Sequence, residues 1–364
     1  MSARRVLVAP DSFKGTFGAS EVAEAIGRGV REAGAEPDLC PVADGGEGTL
    51  AVLLAALGGE RVEADAHDPL RRPIRAEFGL LAGGETAVVE VAAASGLPLV
   101  APGERDAERA DSFGTGELVV AAIEAGARTV LIAAGGSATT DGGRGAIEAI
   151  RAGTAGGGAS RSGAPGAPHP VATRPAPTVA FPVTGDRIEG VELEVLCDVD
   201  ARFEDAARVF APQKGADPAA VERLSRRLEE FAATLPRDPR GVPMGGCAGG
   251  LSGGLMAAFG ARLRPGADFV LDRVGFDARL AAADAVISGE GQIDSQSLGG
   301  KIVGAVASRC AEAGKRLDVI AGRDALDPGA ARAAGIATIA EASTLASIAT
   351  TSRTLTTQPP PTPG

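Results

Sequence analysis

Five short loops of this 364-residue chain combine glycines with side chains that can carry charge or move a proton. They are Asp11-Ser12-Phe13-Lys14-Gly15, Asp44-Gly45-Gly46-Glu47-Gly48, the stretch 135–143 with Gly136, Ser137, Thr139 and Asp141, Gln213-Lys214-Gly215, and the stretch from Glu290 through Asp294 to Lys301. Backbone N–H groups of glycine loops at helix N-termini bind anions, lysines neutralise phosphate or carboxylate, and paired acids hold Mg2+ or take a proton from a hydroxyl. Together these are the parts of phosphoryl transfer. Each loop also has a plainer reading, with Lys14 as a solvated charge, Asp44 and Asp141 as Asx-turn or capping residues, and the glycines as turns. Recurrence of the combination in five loops points to an anion-binding α/β enzyme.

Other chemistries lack material. Two histidines, His67 and His169, and no Tyr or Trp leave nothing for a His-centred triad or a multi-histidine metal site, so acid–base work falls to carboxylates and lysines. Ser137 has no histidine near it in sequence and no G-x-S-x-G around it, which argues against acyl transfer. No G-x-x-x-x-G-K-[ST] loop is present, and no complete G-x-G-x-x-G opens a helix after a strand. With 36 Lys plus Arg against 47 Asp plus Glu, the net charge of −11 repels a nucleic-acid backbone. Four scattered cysteines without a C-x-x-C pair read as reduced structural thiols. No run approaches the roughly 20 apolar residues of a membrane span or the h-region of a signal peptide, so a cytoplasmic protein is expected, and a homodimer is compatible with the sequence.

The elements that must position these loops follow from apolar periodicity. A strand over 4–9 leads through the loop 10–19 into a helix from Ser20, its expected N-cap, to about Glu32, with Val22, Ala23, Ile26 and Val30 on one face. A strand near 38–42 enters the second loop, and a helix follows over 49–57. This is the grammar of a parallel sheet, whose ligands sit where strands end and helices begin. Residues 61–97 turn to short extended runs, 74–81 and 86–91, that suggest antiparallel strands of another domain. A helix over 116–125, strands at 129–133 and 191–196, and helices at 218–234 and 251–259 follow. A strand at 285–287, a helix at about 301–314 and a last strand at 317–321 return to the opening pattern. The Gly/Ala/Pro-rich stretch 151–186 reads as a flexible loop, and the Thr/Pro-rich tail 350–364 as disordered.

The same loops carry a family resemblance. Ala9-Pro10-Asp11-Ser12-Phe13-Lys14-Gly15, Pro41 through Thr49, Gly135-Gly136-Ser137-Ala138-Thr139 with Asp141-Gly142-Gly143, Cys197-Asp198-Val199, Pro212 through Ala216, Ala248-Gly249-Gly250-Leu251, and Gly289-Glu290-Gly291 with Asp294 and Lys301 resemble the bacterial type I glycerate kinases. The resemblance implies an ATP- and Mg2+-dependent enzyme that phosphorylates D-glycerate, with 2-phosphoglycerate favoured over 3-phosphoglycerate as product. It implies a flavodoxin-like parallel-sheet α/β domain, 1–59 with 283–349, into which a second mixed α/β domain, 60–282, is inserted, with the active site in the cleft between them. Asp198 or Asp294 would deprotonate or orient the hydroxyl, and Lys14 and Lys214 would balance phosphate and carboxylate charge. Asp44 and Glu47 would contact Mg2+. Asp11, Ser12, Gly45, Gly46, Gly136, Ser137, Thr139, Gln213, Glu290 and Lys301 would bind substrate or phosphate.

The chain departs from the family pattern in places. Ala201 to Ala207 replace an Asn-Pro-Leu segment and its Gly-rich turn, Thr140 stands where Asn is common, and Gln292 stands where Arg is common. The stretch 151–186 resembles nothing in the family, and the tail after Ser343 replaces the usual C-terminal helix. A binding protein without turnover, or a kinase of another small hydroxy acid, are the competing readings.

Overall fold

A computed structural model describes residues 4–155, 183–184 and 187–358, and the chain within it divides into two compact units. The first comprises the described residues up to Gly58, Leu196–Asp200 and those from Arg264 onward; the second comprises the described residues of Gly59–Val195 and Ala201–Leu263. In chain order the second therefore lies within the first, and 264–282 belong to the first rather than to the inserted part expected over 60–282. Most of the expected flexible loop 151–186, together with His169 and residues 359–364, lies outside the described residues. Residues 151–155 complete the helix Arg144–Ala155.

Five parallel strands form the sheet of the first unit, in the spatial order Ile336–Glu341, Arg316–Ala321, Ala285–Glu290, Arg5–Pro10, Glu36–Leu39. The three central strands are buried nearly throughout, which is why they read as continuous apolar runs such as Val6-Leu7-Val8-Ala9. From Arg5–Pro10 the sheet grows on one side to Glu36–Leu39 and on the other to Ala285–Glu290, so the chain departs from two adjacent strands in opposite directions. Outside the carboxyl ends of such a pair the loops diverge and leave a crevice. The register pairs Pro10 with Gly289 and Glu290 with Ala321, which brings the loops after these strands together at one edge.

The first helix, Ala19–Glu32, buries Val22, Ala23, Ile26 and Val30 as its periodicity predicts, but Gly18 rather than Ser20 caps it. Glu21 reaches back to accept from the Gly18 N–H at 2.9 Å, so the helix starts two residues earlier and leaves Ser20 exposed. The C-terminal end departs further from expectation. The strand Arg316–Ala321 is not the last, and a helix, Leu345–Thr357, runs through the start of the segment read as a disordered tail. Threonine is a poor helix former. Here Thr350, Thr354, Thr356 and Thr357 return their hydroxyls to carbonyls of the preceding turn, and Ile348, Ala349, Ser352 and Leu355 are buried. Ser352 Oγ donates to Ile26 O at 2.7 Å, tying this helix to the first.

In the second unit a six-stranded sheet runs in the order Arg262–Pro265, Glu192–Cys197, Thr129–Ala133, Thr86–Glu90, Pro73–Leu81, Gly59–His67. Gly59–His67 and Thr86–Glu90 both pair antiparallel with Pro73–Leu81, whereas Thr86–Glu90 and Thr129–Ala133 are parallel, so the sheet is mixed. The helix Cys247–Phe259 is regular only from Leu251, because Ala248, Gly249 and Gly250 are left-handed at φ +50°, +68° and +89°. The altered segment 201–207 is ordered and packed: Phe203 and Ala206 are fully buried, and Gly142, Gly250 and Gly253 lack a Cβ where the Phe203 ring lies. All four cysteines are buried, and no disulfide joins them. Among the described residues no helix is long and apolar enough to cross a membrane.

Gly29 marks the closest approach of the first and last helices, since a Cβ there would lie 2.0 Å from Ala349 O. Gly29→Ala is expected to force the two helices apart and lower stability by about 2 kcal/mol in urea denaturation; an unchanged midpoint would show that they do not meet in this way.

Candidate active site

The loop after the first strand is shaped by Phe13. Its N–H donates to Phe17 O and its carbonyl accepts from Phe17 N–H, the buried ring packs beside Gly289 and Gly322, and its backbone lies against Gly291. A Cβ at Gly289 would lie 2.6 Å from Ile320 O, and one at Gly322 2.5 Å from Gly291 O, so both loops need glycine to close on one another. With Phe13 held inward, Asp11 is buried at the strand end and Lys14 projects beside it with a half-exposed side chain.

A cavity of about 530 Å³ opens at this edge, lined by Asp11, Ser12, Lys14, Asp44, Glu290, Asp294 and Lys301, all expected from the sequence. Phe13, Gln292, Arg323 and Ser343 line it as well. Arg323 and Ser343 come from loops after the last two strands, the second of which the apolar pattern had not revealed. Lys14 Nζ pairs with Asp44 Oδ2 at 3.0 Å, while Asp44 Oδ1 accepts the Gly46 N–H at 3.0 Å. Asp44 is thus both an Asx-turn residue and a member of a charged cluster.

Burial, then the charge of Asp44, pushes the Asp11 carboxyl up to about 8, although Lys14 and the Ser12 N–H pull it down. Burial and Asp44 likewise raise Asp198 to about 6, against Lys14 and Lys301. Burial raises Glu290 to about 7, with the Ser297 hydroxyl and Lys301 pulling the other way and Asp44 adding to the rise. Glu290 Oε1 is buried with no hydrogen-bond partner. Burial alone would lower the Lys14 ammonium, but Asp44 and Asp11 outweigh it and the group titrates above its ordinary range. Carboxylates that repel one another around a fixed cation form a site ready to take a proton or a further cation.

Other expected residues take other places. Glu47 is exposed and does not line the cavity, so the expected metal pair Asp44 and Glu47 is not assembled. Among the described residues no three His, Cys, Asp or Glu side chains converge as a metal cage. Gly45, at φ +93°, would bring a Cβ to 2.5 Å from the Gly266 Cα, and the Gly46 N–H is spent on Asp44, so both serve packing and the turn. Asp294 lines the cavity but caps the short turn Ser295–Leu298, accepting from Gln296 N at 2.9 Å and from Gln292 Nε2 at 3.2 Å. Those bonds fix the orientation of its carboxylate.

In the second unit Lys214 is buried, and its ammonium donates to Ser137 Oγ at 2.9 Å and to Thr139 O. Its charge therefore fixes the 135–143 loop from within. Asp141 accepts from Ser112 N and Oγ, Gly143 N and Gly145 N, which makes it the structural tie that its plainer reading proposed. Gly136 is left-handed at φ +70°, the Thr139 and Thr140 hydroxyls are buried without partners, and Gln213 is exposed on the turn Pro212–Lys214.

Glu290 offers a test of this electrostatic picture without any ligand. In the unfolded chain its carboxyl ionises near 4.5, whereas in the fold it keeps its proton to about 7, so stability falls as pH rises between these values. Glu290→Gln removes that cost: relative to the parent, the ligand-free variant should gain up to about 3 kcal/mol between pH 4.5 and pH 8. A pH-independent difference in melting would place the Glu290 carboxyl in water.

Known proteins give this site its context. The family model described as the glycerate kinase family matches residues 6–358. A Bacillus subtilis protein named glycerate kinase is 41% identical over 311 residues, covering 82% of this chain and 79% of the relative. An Escherichia coli protein named glycerate 2-kinase is 37% identical over 341 residues, covering 91% and 88%. The crystal structure of a candidate glycerate kinase 2 from Salmonella typhimurium LT2 superposes with a TM-score of 0.76 at 34% identity over 98% of each chain. With the family model spanning both units and relatives this similar, the chain belongs to the glycerate kinase family.

Proposed function

We propose that this kinase transfers the γ-phosphoryl group of ATP to a hydroxyl of D-glycerate, giving 2-phosphoglycerate, and that it is of the bacterial type I group. The observation that carries this reading is the cluster of Asp11, Asp44, Asp198 and Glu290 around Lys14, at the carboxyl ends of parallel strands. The name of the Escherichia coli relative supports the choice of the 2-hydroxyl. The two units are read as the two domains of the enzyme, and four buried thiols without a disulfide fit a reducing, cytoplasmic setting.

Phosphoryl transfer asks the protein for positioning, charge balance and a proton acceptor. Asp198 is the base: its pKa near 6 leaves it ionised at neutral pH yet basic enough to accept the hydroxyl proton as the oxygen attacks. Asp294, held by its capping bonds, orients rather than deprotonates. Lys14, kept charged by Asp44 and Asp11, faces the negative charge of the transferring group, and Lys301 adds a second cation to the same cavity. The loop that Lys214 braces, with the unpartnered Thr139 hydroxyl, binds phosphate or carboxylate oxygens in the second unit.

Mg2+ takes one or two carboxylates, keeps several waters and fills its remaining positions with phosphate oxygens, so it needs no protein cage. The buried carboxylates fit such an ion, and Asp44 with Asp11, in place of the exposed Glu47, would hold it. When bound it neutralises charge on the phosphates.

Incubation with ATP, Mg2+ and D-glycerate should give a phosphomonoester signal in the ³¹P NMR spectrum whose coupling identifies 2-phosphoglycerate. No signal from folded protein, or a signal only with another hydroxy acid, would overturn the assignment. Lys14→Ala is expected to cost about a thousandfold in kcat/KM while the fold persists. The parent's kcat/KM should fall as pH drops through about 6, and Asp198→Asn should remove that limb while lowering the rate about 10²- to 10⁴-fold. A variant that keeps the limb would move the base elsewhere.

A further inference from the structure

The cavity at the edge of the first sheet holds a cation that neither the motifs nor the mechanism above employs. After the strand Arg316–Ala321 the chain passes Gly322, whose N–H donates to Glu290 O at 3.1 Å. Arg323 N then donates to Gly291 O at 3.0 Å, and Arg323 O accepts the Ile293 N–H at 3.0 Å. Position 323 is therefore clamped on both sides of residue 292, with the glycine at 322 permitting the approach. The backbone is held in register, and the Arg323 side chain lines the cavity together with Lys14, Lys301, Asp11 and Glu290.

Arg323 is an exposed residue at the cavity wall whose guanidinium has no protein partner among the described residues. Elsewhere in the first unit, Arg309 is gripped by Asp268, Asp272 and Asp277, Arg316 by Asp318, and Arg279 by Asp38. Arg323 makes no ion pair, side-chain hydrogen bond or ring contact among the described residues. Three acids of the cavity wall are otherwise engaged, Asp44 with Lys14 and Gly46 N, Asp294 with Gln296 N and Gln292, and Asp11 with Ser12 N, while the fourth, Glu290, is buried with its Oε1 unpartnered and makes no ion pair with Arg323. A clamped backbone that delivers an unpaired, two-pronged N–H donor to a cavity is the arrangement that binds a carboxylate or phosphate bidentately.

We propose that Arg323 is the substrate oxyanion anchor of this cavity, its guanidinium taking two oxygens of either the hydroxy-acid carboxylate or the terminal phosphate of the nucleotide. The proposal rests on the kinase reading above and adds to it a specificity residue. Gln292, which the two backbone bonds of Arg323 bracket, is neutral and donates to Asp294, so it does not compete with Arg323 for an anion. Lys14 is held by its ion pair with Asp44 and makes no contact with Arg323, so loss of Arg323 weakens binding without removing the charge on which the chemical step depends.

The test uses the full-length enzyme and the variants Arg323→Gln and Arg323→Lys, with steady-state rates for both substrates and direct calorimetric titration of ATP and of D-glycerate. In Arg323→Gln the KM and the Kd of one substrate should rise about 10- to 100-fold while kcat stays within about threefold, with Arg323→Lys intermediate. A change confined to D-glycerate assigns the carboxylate, and one confined to ATP assigns the phosphate. Unchanged affinity for both substrates, or a loss of kcat at unchanged KM, would overturn the proposal. If the parent itself shows no turnover, the kinase reading fails separately, and the calorimetric arm still decides whether Arg323 anchors an anion. Circular dichroism of both variants accompanies the titrations, and a variant with altered secondary structure assigns Arg323 a structural role and overturns the anchor.

Discussion

Three carboxylates, Asp11, Asp44 and Glu290, are buried at the edge of one parallel sheet, and Lys14 is the cation set among them. Burying like charges together is costly unless they are paired, protonated or awaiting a positive partner. The single ion pair between Lys14 and Asp44 meets part of that cost, and the raised pKa values of Asp11, Asp198 and Glu290 record the remainder. The strain is electrostatic rather than steric, and it is tolerated because the surrounding strands and helices supply a well-packed frame. A site of this kind is poor for stability and well suited to gathering charged reactants.

The frame reaches the site through glycine and phenylalanine. Phe13 fills the space above Gly289, Gly291 and Gly322, and this packing turns the loop after the first strand so that Asp11 faces inward and Lys14 outward. The same close approaches align the ends of three strands, so that side chains distant in sequence line one cavity. Many of the glycines that resemble phosphate cradles are therefore occupied with bringing backbone against backbone. Gly45 against Gly266 is the clearest instance.

The second unit uses charge differently. Lys214 is as deeply buried as the carboxylates of the first unit, and its ammonium donates to a serine hydroxyl and a backbone carbonyl. Together with Asp141, which accepts four N–H or O–H donors, it makes the 135–143 loop rigid from below. Such bracing is what allows a loop to hold unpartnered hydroxyls such as those of Thr139 and Thr140, because a softer loop would rearrange to satisfy them.

Local patterns in the sequence determined much of this protein: the alternation of buried strands and amphipathic helices, the change to antiparallel strands after residue 59, the reduced thiols, and the loops in which acids and lysines accompany glycine. These are short-range properties, since period, capping and turn chemistry act over a few residues. The helix Leu345–Thr357 was hidden because its threonines favour other conformations until a partner helix buries one face. The final strand, Ile336–Glu341, is only partly buried and lacks the continuous apolar run of the central three. Tertiary structure alone decided which charged loops meet: it gathered Asp11, Lys14, Asp44, Glu290, Asp294 and Lys301 at one sheet edge, left Glu47 in water and turned Lys214 inward. It also added Arg323, which no motif marks. Strand order and register are long-range choices made by packing, and the same lysine is a ligand or a brace according to what the fold places beside it.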